Sequence, residues 1–199
     1  YKEKDEHMKV DWDYTDLASS YQKRPDYSVN AIDAIIATSG ITVEDFCCDV
    51  GAGVAHMTLP LLRSGFLVDA VEPNDAMRSI GINRTANYKR VRWIDGTGER
   101  TGLSSEKYKL VTFGSSFNVC DRALALSESF RILKSCGWFV CLWNHRDLND
   151  AVQLEIENII KRHLFHYSYG TRREDQSDII RSSKLFDEPV HISSRVVHI

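Results

Sequence analysis

The chain has 199 residues, enough for one domain with a full hydrophobic core. Its 43% hydrophobic and 27% charged residues are ordinary for a soluble globular protein, and a formal net charge of -3 argues against nucleic-acid phosphate as the main partner. No apolar run reaches the length of a membrane span, and the polar stretch from Tyr1 to Asp13 has no signal-peptide character, so a cytoplasmic protein with no membrane partner is expected.

Tyr14 to Asp26 is aromatic and basic. Ser28 to Thr38 carries Val29, Ile32, Ile35 and Ile36 at helical spacing, with Ser28 as N-cap and Gly40 as stop. Phe46 to Val50 reads as a buried strand, followed by a turn at Gly51 and Gly53 and a helix from Val54 to Arg63 closed by Gly65. Strands at Phe66–Val71, Arg90–Ile94 and Tyr108–Phe113 follow, with a helix at Asp75–Arg84 between the first two. Asp121 to Leu133 predicts a helix whose apolar stripe includes Leu124, Leu126, Phe130 and Leu133; after Gly137, Trp138 to Trp143 predicts a fifth strand. Asp150 to Phe165 places Val152, Ile156, Ile159, Ile160 and Leu164 on one helix face. A polar segment from Tyr167 to Asp178 follows, and Pro189 to Ile199 alternates as a last strand would. Strands alternating with helices predict an α/β, Rossmann-like, doubly wound and mostly parallel sheet with helices on both faces.

The five cysteines, Cys47, Cys48, Cys120, Cys136 and Cys141, match no zinc spacing. They are expected to be small buried hydrophobes, and no metal is expected.

The chemistry centres on Asp49-Val50-Gly51-Ala52-Gly53-Val54-Ala55, between a strand and a helix. Glycines allow a tight turn and close backbone approach to a ligand. Two ligand classes use such a turn, and a tight turn without ligand is the third possibility. A dinucleotide turn needs a small residue where His56 stands and expects no acid just before the first glycine. A methyltransferase turn wants an acid two places before that glycine, as Asp49 is, and its last glycine falls at Ala55. Glu72 ends the second strand 19 residues after Gly53. That is close to the spacing of about 20 at which an acid meets ribose hydroxyls.

With Val71-Glu72-Pro73-Asn74-Asp75-Ala76-Met77, Asp95-Gly96-Thr97-Gly98-Glu99 and Phe113-Gly114-Ser115-Ser116-Phe117-Asn118, the stretch from Tyr14 to Asn144 resembles a class I S-adenosylmethionine-dependent methyltransferase. The resemblance is to the ubiquinone-biosynthesis-like and trans-aconitate-methyltransferase-like small-molecule branch. It implies S-adenosylmethionine as cofactor. Asp49, Gly51, Ala52 and Gly53 are then expected at its methionine end, and Glu72 on the ribose. Pro73, Asn74 and Met77 would surround the adenosine, and Thr97, Gly98 and Glu99 would lie beside adenine, with Thr97 where many relatives have an acid. Gly114, Ser115 and Ser116 would follow the fourth strand into the site. Tyr21-Gln22-Lys23-Arg24-Pro25-Asp26-Tyr27 resembles an aromatic lid in which Tyr21 and Arg24 cover the cofactor's amino-acid end.

The resemblance divides the chain into an arm (1–27), a cofactor-binding core (28–146) and an acceptor lid with a C-terminal strand (147–199). Relatives have seven strands, so the C-terminal part is expected to be incomplete. His145, just past the fifth strand, is the candidate catalytic base. His163, His166, Tyr167, Tyr169, Arg172 and Arg173 are candidate acceptor contacts. The expected function is methyl transfer to a small-molecule acceptor. A non-catalytic cofactor-binding module is the alternative, and an NAD-dependent oxidoreductase the distant one.

Overall fold

The computed structural model describes residues 15–164, 166–167 and 174–197. Within them lies a five-stranded, all-parallel sheet in the order β3-β2-β1-β4-β5. The strands are β1 (Phe46–Val50), β2 (Leu67–Val71), β3 (Val91–Ile94), β4 (Tyr108–Gly114) and β5 (Leu133–Leu142). The helices are α1 (Ala18–Tyr21), α2 (Val29–Ser39), α3 (Thr58–Arg63), α4 (Asp75–Thr85), α5 (Arg122–Ile132), α6 (Ala151–His163) and α7 (Ser177–Ser183). The expected α/β doubly wound architecture is therefore the observed one.

Adjacent residues of a strand point to opposite faces, and here that alternation builds two cores. Cys47, Val68 and Leu110 pack with Ile32 and Ile35 of α2 and Leu61 and Leu62 of α3. Cys48, Val111 and Phe113 pack on the other side with Ala125, Leu126 and Ile132 of α5. A sheet buried on both faces needs apolar residues at both parities, which is why Phe46, Cys47, Cys48 and Val50 of β1 and Leu110, Val111 and Phe113 of β4 make its strands read as mostly apolar. The chain order reverses between β1 and β4, and ligands of open α/β sheets bind at such a switch point, beyond the strands' carboxyl ends.

Several expectations differ from the structure. Residues 189–197 form no strand, and 198–199 lie outside the described residues. Ser194 of that segment instead reaches Ser28, whose hydroxyl lies 2.8 Å away, so Ser28 makes no side-chain cap on α2. The α5 stripe is Ala125, Leu126, Ser129 and Ile132, while Leu124 and Phe130 are about half exposed. α5 presses its small residues against the sheet, where Leu124 and Phe130 would not fit as closely. β5 begins at Leu133, directly from α5, so Gly137 lies inside the strand, and the irregular register between Tyr108 and Leu110 absorbs the difference. On α6, Val152, Ile156, Ile159 and Leu164 are exposed, and the residue that helix buries is Glu157. Cys47 and Cys48 are buried as expected, Cys120 and Cys141 only partly, and Cys136 is exposed.

Gly81 of α4 is where the tight contact to β3 is made. A Cβ there would lie 2.1 Å from the Trp93 ring, whose indole N–H donates to the Thr85 hydroxyl at 2.9 Å. Helix propensity alone predicts that Gly81→Ala gains about 1 kcal/mol. Overpacking against an aromatic ring fixed by a hydrogen bond costs about 1–3 kcal/mol and should win. The expected result is a net loss of about 1–2 kcal/mol in urea unfolding; a gain would mean that the indole can swing aside.

Candidate active site

The ends of β1, β2 and β4 come together through backbone and carboxylate. Gly51 and Ala52 both donate their N–H groups to the Val71 carbonyl, at 2.9 and 3.0 Å. The Glu72 carboxylate then bridges the two loops: Oε2 accepts the Gly53 N–H at 2.8 Å and Oε1 the Asn74 N–H at 2.9 Å. Asn74 caps α4 by accepting the Met77 N–H at 3.0 Å. Arg78 holds the backbone side of the same junction, donating to the Glu72 carbonyl at 2.6 Å. Glu72 is only 7% exposed, and burial raises its pKa against the lowering pull of the two backbone donors.

The turn itself is left-handed at Gly51 (φ 66°), Gly53 (φ 55°) and Ala55 (φ 75°). L-residues with a Cβ pay about 1–2 kcal/mol for that conformation, so alanine at the third position is a strained substitute for glycine. A Cβ on Gly51 would lie 2.4 Å from the Ser116 Cβ, and one on Gly53 would lie 3.2 Å from the Met77 terminal methyl. Ser116 donates to the Val50 carbonyl at 2.7 Å, which pulls the loop after β4 onto the turn.

Asp49 is fully buried. Its carboxylate accepts from the Thr58 hydroxyl at 2.6 Å and the Thr112 hydroxyl at 3.1 Å, tying β1 to α3 and β4. Burial pushes its pKa up to about 7 despite those hydroxyls. Neither threonine carries a sequence signal, and both were missed.

Gly98 is buried under Cys120, with room for no Cβ: the sulfur lies 2.6 Å from where one would be. The Thr97 hydroxyl accepts the Arg100 N–H at 3.2 Å, and Glu99 accepts the Asp121 N–H at 2.7 Å, so both shape their loop. On the arm, Arg24 donates to the Tyr21 hydroxyl at 2.8 Å and lies over that ring. Tyr27, which closes the lid motif, stacks on Gly114 and pairs with the Ser115 hydroxyl at 3.1 Å; burial raises its pKa. His145 is exposed beyond β5, and its neighbour Asn144 donates to the Pro25 and Asp26 carbonyls of the arm at 3.3 and 3.2 Å. His163 ends α6, and Tyr167 accepts a hydrogen bond from Arg146 at 2.8 Å. Tyr169, Arg172 and Arg173 lie outside the described residues. Among the described residues no cluster of His, Cys, Asp and Glu could hold a metal, and no helix is long and apolar enough to cross a membrane.

Residues 48–141 match the family model described as a methyltransferase domain. An uncharacterised methyltransferase of Mycobacterium tuberculosis is 30% identical over 139 residues, which cover 70% of this chain and 54% of that protein. The demethylmenaquinone methyltransferase of Staphylococcus aureus is 28% identical over 104 residues, covering 52% of this chain and 43% of that protein. The chain thus spans about half the length of these relatives. Among solved structures, a Methanococcus maripaludis protein assigned to the S-adenosylmethionine-dependent methyltransferases has a TM-score of 0.67 at 21% identity, covering 85% of this chain and 80% of that one. The CcbJ methyltransferase of Streptomyces caelestis has a TM-score of 0.54 at 20% identity, covering 65% and 58%. At these identities the solved structures speak for the fold. The domain match and the mycobacterial relative make the chain similar to methyltransferases, and the solved structures show that it has the fold of the S-adenosylmethionine-dependent ones.

Proposed function

We propose that this chain binds S-adenosylmethionine at the ends of β1, β2 and β4 and transfers its methyl group to a small-molecule acceptor. The observation that carries the reading is the Glu72 carboxylate, fixed at the rim of the glycine turn by two backbone N–H groups. Each carboxylate oxygen can accept a second hydrogen bond, so an acid already held by the backbone still has capacity for a vicinal diol. Left-handed glycines at positions 51 and 53 suit close approach of a ligand to main chain. The residues present therefore fit the cofactor. In this reading Gly51, Ala52 and Gly53 meet its amino-acid end, and Glu72 its ribose. Pro73, Asn74, Met77, Thr97, Gly98 and Glu99 wall the adenosine, while Gly114, Ser115 and Ser116 close the site from β4. Tyr21 and Arg24 cover it.

When bound, the cofactor supplies an electrophilic methyl group on sulfur. The protein's own task is to orient it, exclude water and present the acceptor in line. In this reading His145, exposed past β5, would take a proton from an acceptor that needs one. The Staphylococcus aureus relatives act on a demethylmenaquinone by name, so a ring acceptor belongs in any panel of acceptors.

Isothermal calorimetry with S-adenosylmethionine and S-adenosylhomocysteine tests the reading, and turnover against a metabolite panel tests the transfer. Glu72→Ala should weaken both ligands by roughly 10- to 100-fold, the scale of a hydrogen bond to a charged group. Unchanged affinity in a folded variant would remove Glu72 from the site.

Asp49, sealed beneath the turn, is assigned in this reading to holding the turn's shape. Its raised pKa makes a second prediction. The folded state holds that proton more tightly than the unfolded chain, so Asp49's contribution to stability falls as pH rises from about 4 to about 7. Asp49→Asn removes the buried charge and keeps the shape. It should be more stable than wild type at pH 8, by roughly 2–4 kcal/mol, and the gap should close at pH 4. Urea unfolding at both pH values reads the difference; equal stability at pH 8 would mean that the hydroxyls fully offset the burial.

A further inference from the structure

The two ends of a parallel sheet differ, and the site proposed above uses only the carboxyl end. At the amino end, a cavity of about 280 Å³ opens where β1, β2 and β3 begin. It lies one strand length, about 15 Å, from the glycine turn. Its charged lining is Lys89, Arg90, Arg92, Lys107 and Asp69. Four cations against one acid leave three positive charges uncompensated there, in a chain whose formal net charge is -3. Asp45 and Glu106, the acids next to Phe46 and Lys107 in the chain, do not line the cavity, and Asp45 meets Lys134 at 3.6 Å.

Asp69 arranges this charge without cancelling it. Oδ1 accepts Arg92 Nε at 3.0 Å, and Oδ2 accepts Arg92 Nη2 at 2.7 Å, Lys107 Nζ at 3.0 Å and the Tyr108 hydroxyl. Two cations are thus held side by side on one oxygen, where they repel each other. The Asp69 side chain is only 5% exposed, so it sits behind them and a ligand in the cavity meets cation first. Of five guanidinium N–H groups Arg92 commits two to Asp69, and of three ammonium N–H groups Lys107 commits one, so the rest can donate outward. Lys107 also lies 4.2 Å from the Phe46 ring centroid, which holds the ammonium at the cavity wall. Lys89 makes no hydrogen bond or ion pair with the described residues, and Phe46, Leu67 and Val91 add an apolar wall.

We propose that this cavity is a second binding site, for the phosphate dianion of a small molecule, with Arg92 and Lys107 as paired donors oriented by Asp69 and with Lys89 as the outer cation. A guanidinium fork beside a point charge suits the three oxygens of a phosphate; a planar carboxylate would be served by the guanidinium alone. The volume is at the small end of ligand pockets, which suits a small phosphate ester. Inorganic phosphate offers the same chemistry, and the apolar wall favours the ester. None of this depends on the cofactor site.

The test titrates inorganic phosphate and phenyl phosphate into the full chain at constant ionic strength and about pH 8, where both are dianions. Phenyl phosphate carries no adenine and so does not mimic the cofactor. Calorimetry gives the Kd, and the arginine Nε–H resonances locate the site. Saturable binding with a Kd of roughly 1 mM or tighter is expected, with the Arg92 resonance shifting. Tighter binding of phenyl phosphate names an ester as the ligand and the reverse order names the free ion; either order upholds the site. Arg92→Gln should weaken binding by roughly fivefold or more, and so should Lys89→Gln, which breaks no contact within the fold. S-adenosylhomocysteine should bind both variants as it binds the wild type, and at saturation it should not displace the phosphate. No saturable binding by either probe, an unchanged Kd in both variants, or displacement by S-adenosylhomocysteine would overturn the site. Phosphate binding in a protein that binds no S-adenosylhomocysteine would uphold it and defeat the proposed function instead.

Discussion

The arrangement at the sheet's carboxyl ends depends on one carboxylate accepting two backbone N–H groups. Glu72 is almost buried, which disfavours its charge, and the donors from Gly53 and Asn74 are what keep it tolerable there. The arrangement fixes more than the acid. The first donor belongs to the turn after β1 and the second to the residue that caps α4, so one side chain sets the spacing of β1, β2 and the helix that follows β2. The Val71 carbonyl, shared by the Gly51 and Ala52 N–H groups, repeats the same tie on the main chain. A turn held this tightly can tolerate left-handed backbone at three of five successive positions, including alanine.

Two acids stand at this end of the sheet, and their surroundings separate their roles. Asp49 faces hydroxyls from α3 and β4 with no exposed surface, and its pKa is driven up to about 7. Glu72 faces main-chain donors at the rim. The first environment suits a group that holds three elements in register, and the second suits one that meets a polar ligand without reorganising. Sequence motifs treat the two acids as equal members of one site, whereas burial and donor type tell them apart.

What could be read from the sequence follows from which interactions are periodic. β1, β2 and β4 were legible because strands buried on both faces are mostly apolar at both parities, with single polar residues such as Asp49 and Asp69 among them. The turn and Glu72 were legible because glycine and an acid at a strand's end have few other uses. The α5 stripe was misread because the buried face is built on Ala125 and Ser129, whose hydroxyl bonds back to the Ala125 carbonyl; small residues against a sheet carry little hydrophobic signal. The start of β5 was misread because Lys134, Ser135 and Cys136 are exposed, so only its later residues look like a strand. Thr58, Thr112 and His56 take their meaning from partners 9, 63 and 30 residues away, and such pairings leave no mark on local pattern.

The arm shows how those long-range pairings act together. Besides the packing of Ala18 and Tyr21 on Val54 and Met77, its last residues are tied by His56 after β1, by Ser115 after β4 through the Tyr27 hydroxyl, and by Asn144 after β5 through two arm carbonyls. Each bond alone is worth about 1 kcal/mol, too little to keep a short segment ordered. They lie within seven residues of one another on the arm, so the entropy of ordering it is met once and the bonds then reinforce each other. Loosening one therefore weakens the other two. The arm borders both the turn and the loop that bears His145, so Asp26, which meets His56 through its carboxylate and Asn144 through its carbonyl, joins the β1 and β5 ends of the sheet.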